Sequence, residues 1–194
     1  ITSLSIDHSA ILGNTIEEIA FEKCGTIKEN GNVICSFGQP EGAIKVIKKT
    51  VKEKNNNLTI PCESDIYINK SDIFGTEFIY KNEEYFVKMP GEHQVKNMTC
   101  VIEACNILKK HFNLTDENIK NGISKTILPA RVEIISEKPL VILDGGHNED
   151  GAKAFYNAVL PELEKRHRVI VIAGMMADKA VEDSLKPLML KTDA

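Results

Sequence analysis

From residue 129 onward the chain reads as strand, strand, helix, strand, and that order constrains the fold more than any other feature. RVEII (131–135) and LVIL (140–143) are short runs rich in β-branched residues. Ala152, Phe155, Val159 and Leu163 then recur at helical spacing, and RVIVIAG (168–174) follows. Such alternation predicts an α/β layer with a parallel sheet and a right-handed crossover. Between the second strand and the helix lies DGGHNEDGAK. Gly146 and Gly151 have the separation of the glycines in the phosphate-binding pattern G-x-x-x-x-G-K-[ST]. Lys153 arrives one residue late, however, and no Ser or Thr follows it. The stretch is therefore read as a tight strand-to-helix turn that needs glycine freedom, and Lys153 as a helix-surface lysine.

The preceding part of the chain has a different texture. Ile16, Ile19, Ala20, Lys23, Cys24 and Ile27 stand at offsets 0, 3, 4, 7, 8 and 11, which predicts a helix with Thr15 as N-cap. A strand over 33–37, a turn at Gln39-Pro40 and a helix over 41–54 with Ala43, Ile47 and Val51 inward come next. Residues 58–89 carry short β-like segments, with Asn82-Glu83 between the last two, and predict a hairpin or small antiparallel sheet. After Pro90-Gly91 a helix places Met98, Val101, Ile102, Cys105 and Leu108 on one face, and Thr115 or Asp116 caps a shorter one ending near 125. Residues 2–6 read as a strand. Because Ile1 falls inside that strand and the last segment stops abruptly after about 65 residues, the expectation is a chain lacking both its start and the end of its second domain.

Composition excludes several classes. With 42% hydrophobic and 27% charged residues the chain can bury a core. A net charge of −4 without a dense basic stripe argues against sequence-neutral nucleic-acid binding. Five cysteines, none in a C-x-x-C pair, fit a reducing cytoplasm rather than a disulfide framework or zinc knuckle. No apolar run approaches the length of a membrane span.

Several residues invite chemistry. Lys23 occupies the +7 position of an apolar stripe, so its stem is expected to point toward the core. It is either a lysine snorkelling from a helix end or a buried lysine of altered protonation, open to covalent modification or phosphate contact. His8 follows a predicted strand end, where open α/β sheets bind ligands; it serves as a ligand for a metal or water, or as a structural histidine. Gly91-Glu92-His93-Gln94 opens a helix with Asn97 one turn on, which reads as a plain cap or as an anion contact. Arg131 can clamp a phosphate bidentately or pair with Glu133 or Glu137. Asp144 can accept from a ribose hydroxyl or hydrogen-bond its own turn, and His147 sits where that turn enters the helix.

Together these pieces resemble a known family. ITSLSIDHSAILGNTIEEIAFEKCGTIK is similar to ITxIxxDHxxxLGxTxxxIAxEKAGIxK of folylpolyglutamate synthases, GEHQVKN to GxHQxxN, and LPARVEIISEKPLVILDGGHNEDGA to PGRxEx…DGAHNxxxA. GMMADKAVEDSL resembles the G…DKD stretch of the same family. The motifs span almost the whole chain in order, and the chain is identified as similar to folylpolyglutamate and dihydrofolate synthases of the Mur-ligase superfamily. The departures are DGGHN for DGAHN, PAR for PGR and EKCGT for EKAGI. The family's phosphate loop and upstream magnesium-binding glutamate do not occur in this stretch, which is therefore expected to be inactive alone.

The resemblance implies an α/β fold. Residues 1–128 would be the later part of a P-loop-type ATPase domain with a small antiparallel β insertion. Residues 129–194 would be the first part of a Rossmann-like ligase domain. It implies an ATP- and Mg2+-dependent ligase of the cytoplasm, monomeric, that adds L-glutamate to the γ-carboxyl of folate or its polyglutamates through an acyl phosphate, and in some members converts dihydropteroate. By the same resemblance His8 is a magnesium ligand and Lys23 a carbamylated lysine. Asn97, Arg131 and Asp144 are ATP contacts, and His147 lies near the phosphate or the glutamate. The alternatives are a Mur-type ligase acting on a cell-wall nucleotide precursor, or a degenerate nucleotide-binding protein without activity.

Overall fold

The computed structural model describes residues 1–6, 12–174 and 181–189. They divide into two compact units, one comprising Ile1–Ile66 with Lys96–Ile119 and the other Tyr67–Val95 with Lys120–Ala194.

In the first unit, helix α1 (Ile16–Cys24) begins with a capping box. Thr15 Oγ1 accepts from Glu18 N–H at 3.2 Å, and Glu18 Oε2 accepts from Thr15 N–H at 3.1 Å. Gly25 ends the helix, and Ile27 is buried in the loop beyond it. Strand β1 (Asn32–Ile34), helix α2 (Glu41–Glu53) and strand β2 (Asn57–Thr59) form a crossover in which β1 and β2 pair in parallel. Ala43, Ile47 and Val51 are the buried residues of α2, as their spacing requires. Ile47 and Val51 close with Cys24, Ile27, Val33 and Cys35 into one cluster.

Residues 2–6 form no strand. Ser36 N–H donates to the Ile1 carbonyl, but the Gln39 side chain then takes over: its Oε1 accepts from Leu4 N–H at 3.0 Å and its Nε2 donates to the Thr2 carbonyl at 2.8 Å. A side-chain amide replaces the neighbouring strand's peptide, so no ladder propagates. A 3-10 turn (Glu63–Asp65) leads out of this part.

In the second unit β3 (Ile66–Asp72), β4 (Gly75–Tyr80) and β5 (Glu83–Val87) form a sheet in that order, with β4 and β5 antiparallel. Alternation buries Thr76, Phe78 and Tyr80, and the Phe78 and Tyr85 rings stack at 5.4 Å between centroids. The connecting turn is Lys81-Asn82 rather than Asn82-Glu83, because Tyr80 pairs with Glu83. Both turn residues have positive φ, 51° and 65°, as tight hairpins demand.

Helix α3 (Glu92–Leu108) runs on into the first unit. Its buried face is Val95, Met98, Thr99 and Ile102, while Val101 and Leu108 are exposed, so the expected stripe is rotated. The sequence places an apolar residue on either side of the true face, and burial of Thr99 and Gln94 shifts the centre. Helix α4 (Asp116–Lys125) is capped by Thr115, whose Oγ1 accepts from Asn118 N–H at 3.1 Å.

Strands β6 (Glu133–Glu137) and β7 (Leu140–Leu143) make an antiparallel hairpin across Lys138-Pro139. A parallel pair would need a connection of about a dozen residues. Helix α5 (Glu149–Leu163) follows with Ala152 and Val159 buried and Phe155 and Leu163 partly so. The expected next strand is not formed: residues 168–174 carry no strand pairing, and Ile172 is 97% exposed. A cavity of about 640 Å³, lined by Leu140, Ile142, Phe155, Val159 and Ile170 among others, separates that segment from β7. The mixed α/β class agrees with the sequence; the parallel pairing after β7 does not. Helix α6 (Val181–Met189) completes the described residues.

Candidate functional site

The second unit gathers Arg131, Asp144 and His147 around the loops that bracket the β6–β7 hairpin. Asp144 ends β7, and both of its carboxylate oxygens are engaged. Oδ2 accepts from Val132 N–H at 2.9 Å and Oδ1 from Gly146 N–H at 2.7 Å. Asp144 thus hydrogen-bonds its own turn and also cross-links two loops. Each oxygen keeps a second lone pair for a hydroxyl donor.

Arg131 is exposed, and among the described residues its guanidinium makes no ion pair. Glu133 does not pair with it; its Oε2 accepts from Ala130 N–H at 2.7 Å instead. Arg131 stands between two non-glycine residues in left-handed backbone, Ala130 at φ 54° and Val132 at φ 51°. Such conformations are sparsely populated and persist only when the surroundings over-determine them. Here Gly145 N–H donates to the Ala130 carbonyl at 2.8 Å, and the Val132 side chain is buried with Ala158 and Val159.

His147 is exposed, and its Nδ1 lies 3.1 Å from the Gly145 carbonyl. A carbonyl only accepts, so Nδ1 carries a proton and donates to it. Asn148 caps α5 by accepting from Gly151 N–H at 2.8 Å. Gly146 packs tightly: a Cβ there would meet Asp144 Oδ1 at 2.9 Å. The DGGHN loop is thus a turn locked by its own Asp and Asn.

The sequence placed His93 in a helix opening read as a plain cap or an anion contact, and the structure gives it a further setting. Its half-buried ring rests against Gly91, where an added Cβ would approach Nδ1 to 2.8 Å, and Gly91 itself has φ 101°. Burial pushes the imidazole below its ordinary value, with the Asp144 charge pulling it up and the Arg131 charge pushing it further down. His93 thus belongs electrostatically to the Arg131 and Asp144 cluster. The clues in the sequence were its position at a helix start and the likeness of GEHQVKN to GxHQxxN.

The remaining candidates lie elsewhere. Asn97 is half-buried in the second turn of α3 and belongs to the first unit, as does Lys23. Lys23 does not point inward: it is exposed in the last turn of α1, and its carbonyl accepts from Thr26 Oγ1 at 2.9 Å. At a helix C-terminus a cation meets the favourable end of the dipole while its charge stays hydrated, whereas burying it unpaired would be costly. His8 lies outside the described residues. Among the described residues no group of three or more His, Cys, Asp or Glu could hold a metal ion. No helix among them is long and apolar enough to cross a membrane.

Residues 130–193 match the family described as Mur ligase, glutamate ligase domain. The dihydrofolate synthase/folylpolyglutamate synthase of Bacillus subtilis (strain 168) is 33% identical, covering 97% of this chain and 45% of its own length. The solved structure of an FPGS-AMPPCP-folate complex superposes with a TM-score of 0.84 at 28% identity, over 100% of this chain and 48% of its own. A UDP-N-acetylmuramoyl-L-alanyl-D-glutamate--2,6-diaminopimelate ligase of Clostridium perfringens (strain 13 / Type A) is 29% identical over 92% of this chain and 38% of its own length. The chain spans less than half the length of these relatives.

Proposed function

We propose, for a chain that is a homologue of the folylpolyglutamate and dihydrofolate synthases and carries a Mur ligase glutamate ligase domain at residues 130–193, that the full protein is an ATP-dependent amide ligase of folate metabolism. It adds L-glutamate to the γ-carboxyl of a folate or its polyglutamates. A substrate carboxylate oxygen takes the γ-phosphoryl group of ATP, releasing ADP. The glutamate amine then attacks the acyl carbon, loses a proton and displaces phosphate.

One observation carries this reading: an exposed guanidinium without an ion pair among the described residues, held on a turn that is pinned at several points. That is the arrangement a phosphate contact needs, since the donors stand ready before charge arrives. In this reading Arg131 and Asn97 contact ATP, and the second lone pairs of the Asp144 carboxylate accept ribose hydroxyls. The exposed ring of His147 faces the phosphate or the incoming glutamate. Lys23, exposed and open to carbon dioxide, carries a carbamate, and His8 is a ligand of Mg2+. The domain boundary falls between residues 128 and 129, which the match beginning at residue 130 supports. The protein works as a cytoplasmic monomer.

The test is glutamate-dependent ADP release by the full-length protein, with a reduced folate, dihydropteroate or a UDP-muramoyl peptide as acceptor. Turnover with the folate is expected. Turnover with the muramoyl peptide alone, or none with any acceptor, would overturn the reading. Lys23→Ala is expected to reduce turnover severely, and near-normal activity would remove the carbamate from it.

A further inference from the structure

We propose that Glu133 is a positioning residue for Arg131, acting through the backbone and not as an ion-pair partner; the inference rests on the reading of Arg131 as an ATP contact. Arg131 is flanked by Ala130 at φ 54° and Val132 at φ 51°. Each flanking N–H is held by a different carboxylate: Ala130 by Glu133 Oε2 at 2.7 Å, Val132 by Asp144 Oδ2 at 2.9 Å. Val132 has a second anchor, because its side chain is buried at 5% exposure with Ala158 and Val159. Ala130 has only a half-buried methyl group, and its carbonyl accepts from Gly145 N–H at 2.8 Å, so the Glu133 carboxylate is the one side chain seen to hold its N–H. Glu133 itself is fixed as the first residue of β6, paired with Leu143.

Without the carboxylate, the Gly145 N–H bond to its carbonyl remains, but the N–H side of a left-handed alanine is released toward ordinary backbone. The relaxation rotates the peptide planes on which Arg131 is mounted, and a long side chain amplifies such a rotation at its guanidinium. An error of about 1 Å in a positioned group is enough to cost on the order of a hundredfold in rate. Glu133 therefore sets where the guanidinium points without touching the nucleotide.

The experiment separates reach from charge in the full-length protein. Glu133→Gln keeps an oxygen at the same reach and removes the charge. Glu133→Asp keeps the charge and withdraws the acceptor from Ala130 N–H. Binding of a non-hydrolysable ATP analogue and the KM for ATP are measured alongside thermal stability, with Arg131→Ala as reference. Glu133→Asp is expected to weaken analogue binding and raise the KM by about tenfold, with kcat changed less, while Glu133→Gln stays within about threefold of the parent. Normal analogue binding by Glu133→Asp, or rescue by Asp and not by Gln, would overturn the proposal, as would normal binding by Arg131→Ala. Analogue binding does not require ligase turnover, so a protein that binds as expected yet ligates no folate would refute the proposed function and leave this inference standing.

Discussion

Asp144 holds the Val132 N–H at 2.9 Å and so ties the turn that presents Arg131 to the loop following β7. The same carboxylate closes its own turn on Gly146 N–H at 2.7 Å. One side chain thus sets the relative placement of two loops of the candidate site.

Replacing Asp144 tests that cross-link. Val132 is buried, so its N–H would be left without a partner. Asp144→Ala is expected to destabilise the protein by about 1–3 kcal/mol, the usual range when an ionised acceptor is lost. Asp144→Asn, with one acceptor oxygen remaining, should fall between the two. Denaturant midpoints at neutral pH measure both.

Ala130 offers the opposite change. The family pattern PGR has glycine where this chain has Ala130, and φ there is 54°. A Cβ in left-handed backbone costs about 1–2 kcal/mol, while glycine loses about 0.4–1 kcal/mol through the greater freedom of the unfolded chain. Ala130→Gly is therefore expected to stabilise by roughly 0.5–1 kcal/mol, seen as a higher denaturant midpoint with unchanged slope.

His93 makes stability depend on pH in a defined direction. Burial depresses its folded-state value; the Asp144 charge offsets part of that, and the Arg131 charge adds a lesser depression. The unfolded chain therefore binds the proton more readily, and stability rises with pH wherever that difference operates. The contribution is complete above about pH 6.5 and falls away as pH drops below that value toward the folded-state value. His93→Gln should flatten this part of the profile. Denaturant midpoints collected between about pH 5 and 7.5, above the ordinary carboxylate range, provide the measurement; an unchanged slope would contradict the assignment.

Ile47 probes the core of the first unit. It is fully buried against Cys24, Val33, Cys35 and Val51. Ile47→Ala is expected to cost about 2–5 kcal/mol from lost burial and an unfilled cavity. A loss below about 1 kcal/mol would mean that the α2 face packs loosely.

Local periodicity made α2 legible, because Ala43, Ile47 and Val51 form a clean stripe with charged residues elsewhere. It failed on α3, where buried Gln94 and Thr99 carry no hydrophobic signal. At Lys23 it left a snorkelling and a buried lysine both open, and the exposed side chain in the last turn of a short helix agrees with the first. The alternation after residue 129 identified β6, β7 and α5, yet the pairing of residues 168–174 depends on hydrogen bonds that no local pattern encodes. At the site, motif resemblance picked out Arg131 and Asp144. It could not show that Glu133 serves Ala130, or that His93 shares their field, because those relations arise between residues distant from one another or from unusual backbone.

The side-chain amide of Gln39, standing in for a strand, makes the attachment of Thr2 and Leu4 depend on one chemical group. Its oxygen and nitrogen must keep opposite roles, accepting from Leu4 and donating to Thr2. Deamidation to a carboxylate would set two acceptors face to face at Thr2 and turn the latch into a repulsion. Beyond its backbone bonds at Ile1, the segment that leads into the proposed metal ligand is thus secured by a group that slow hydrolysis can convert, a form of ageing written into a single residue.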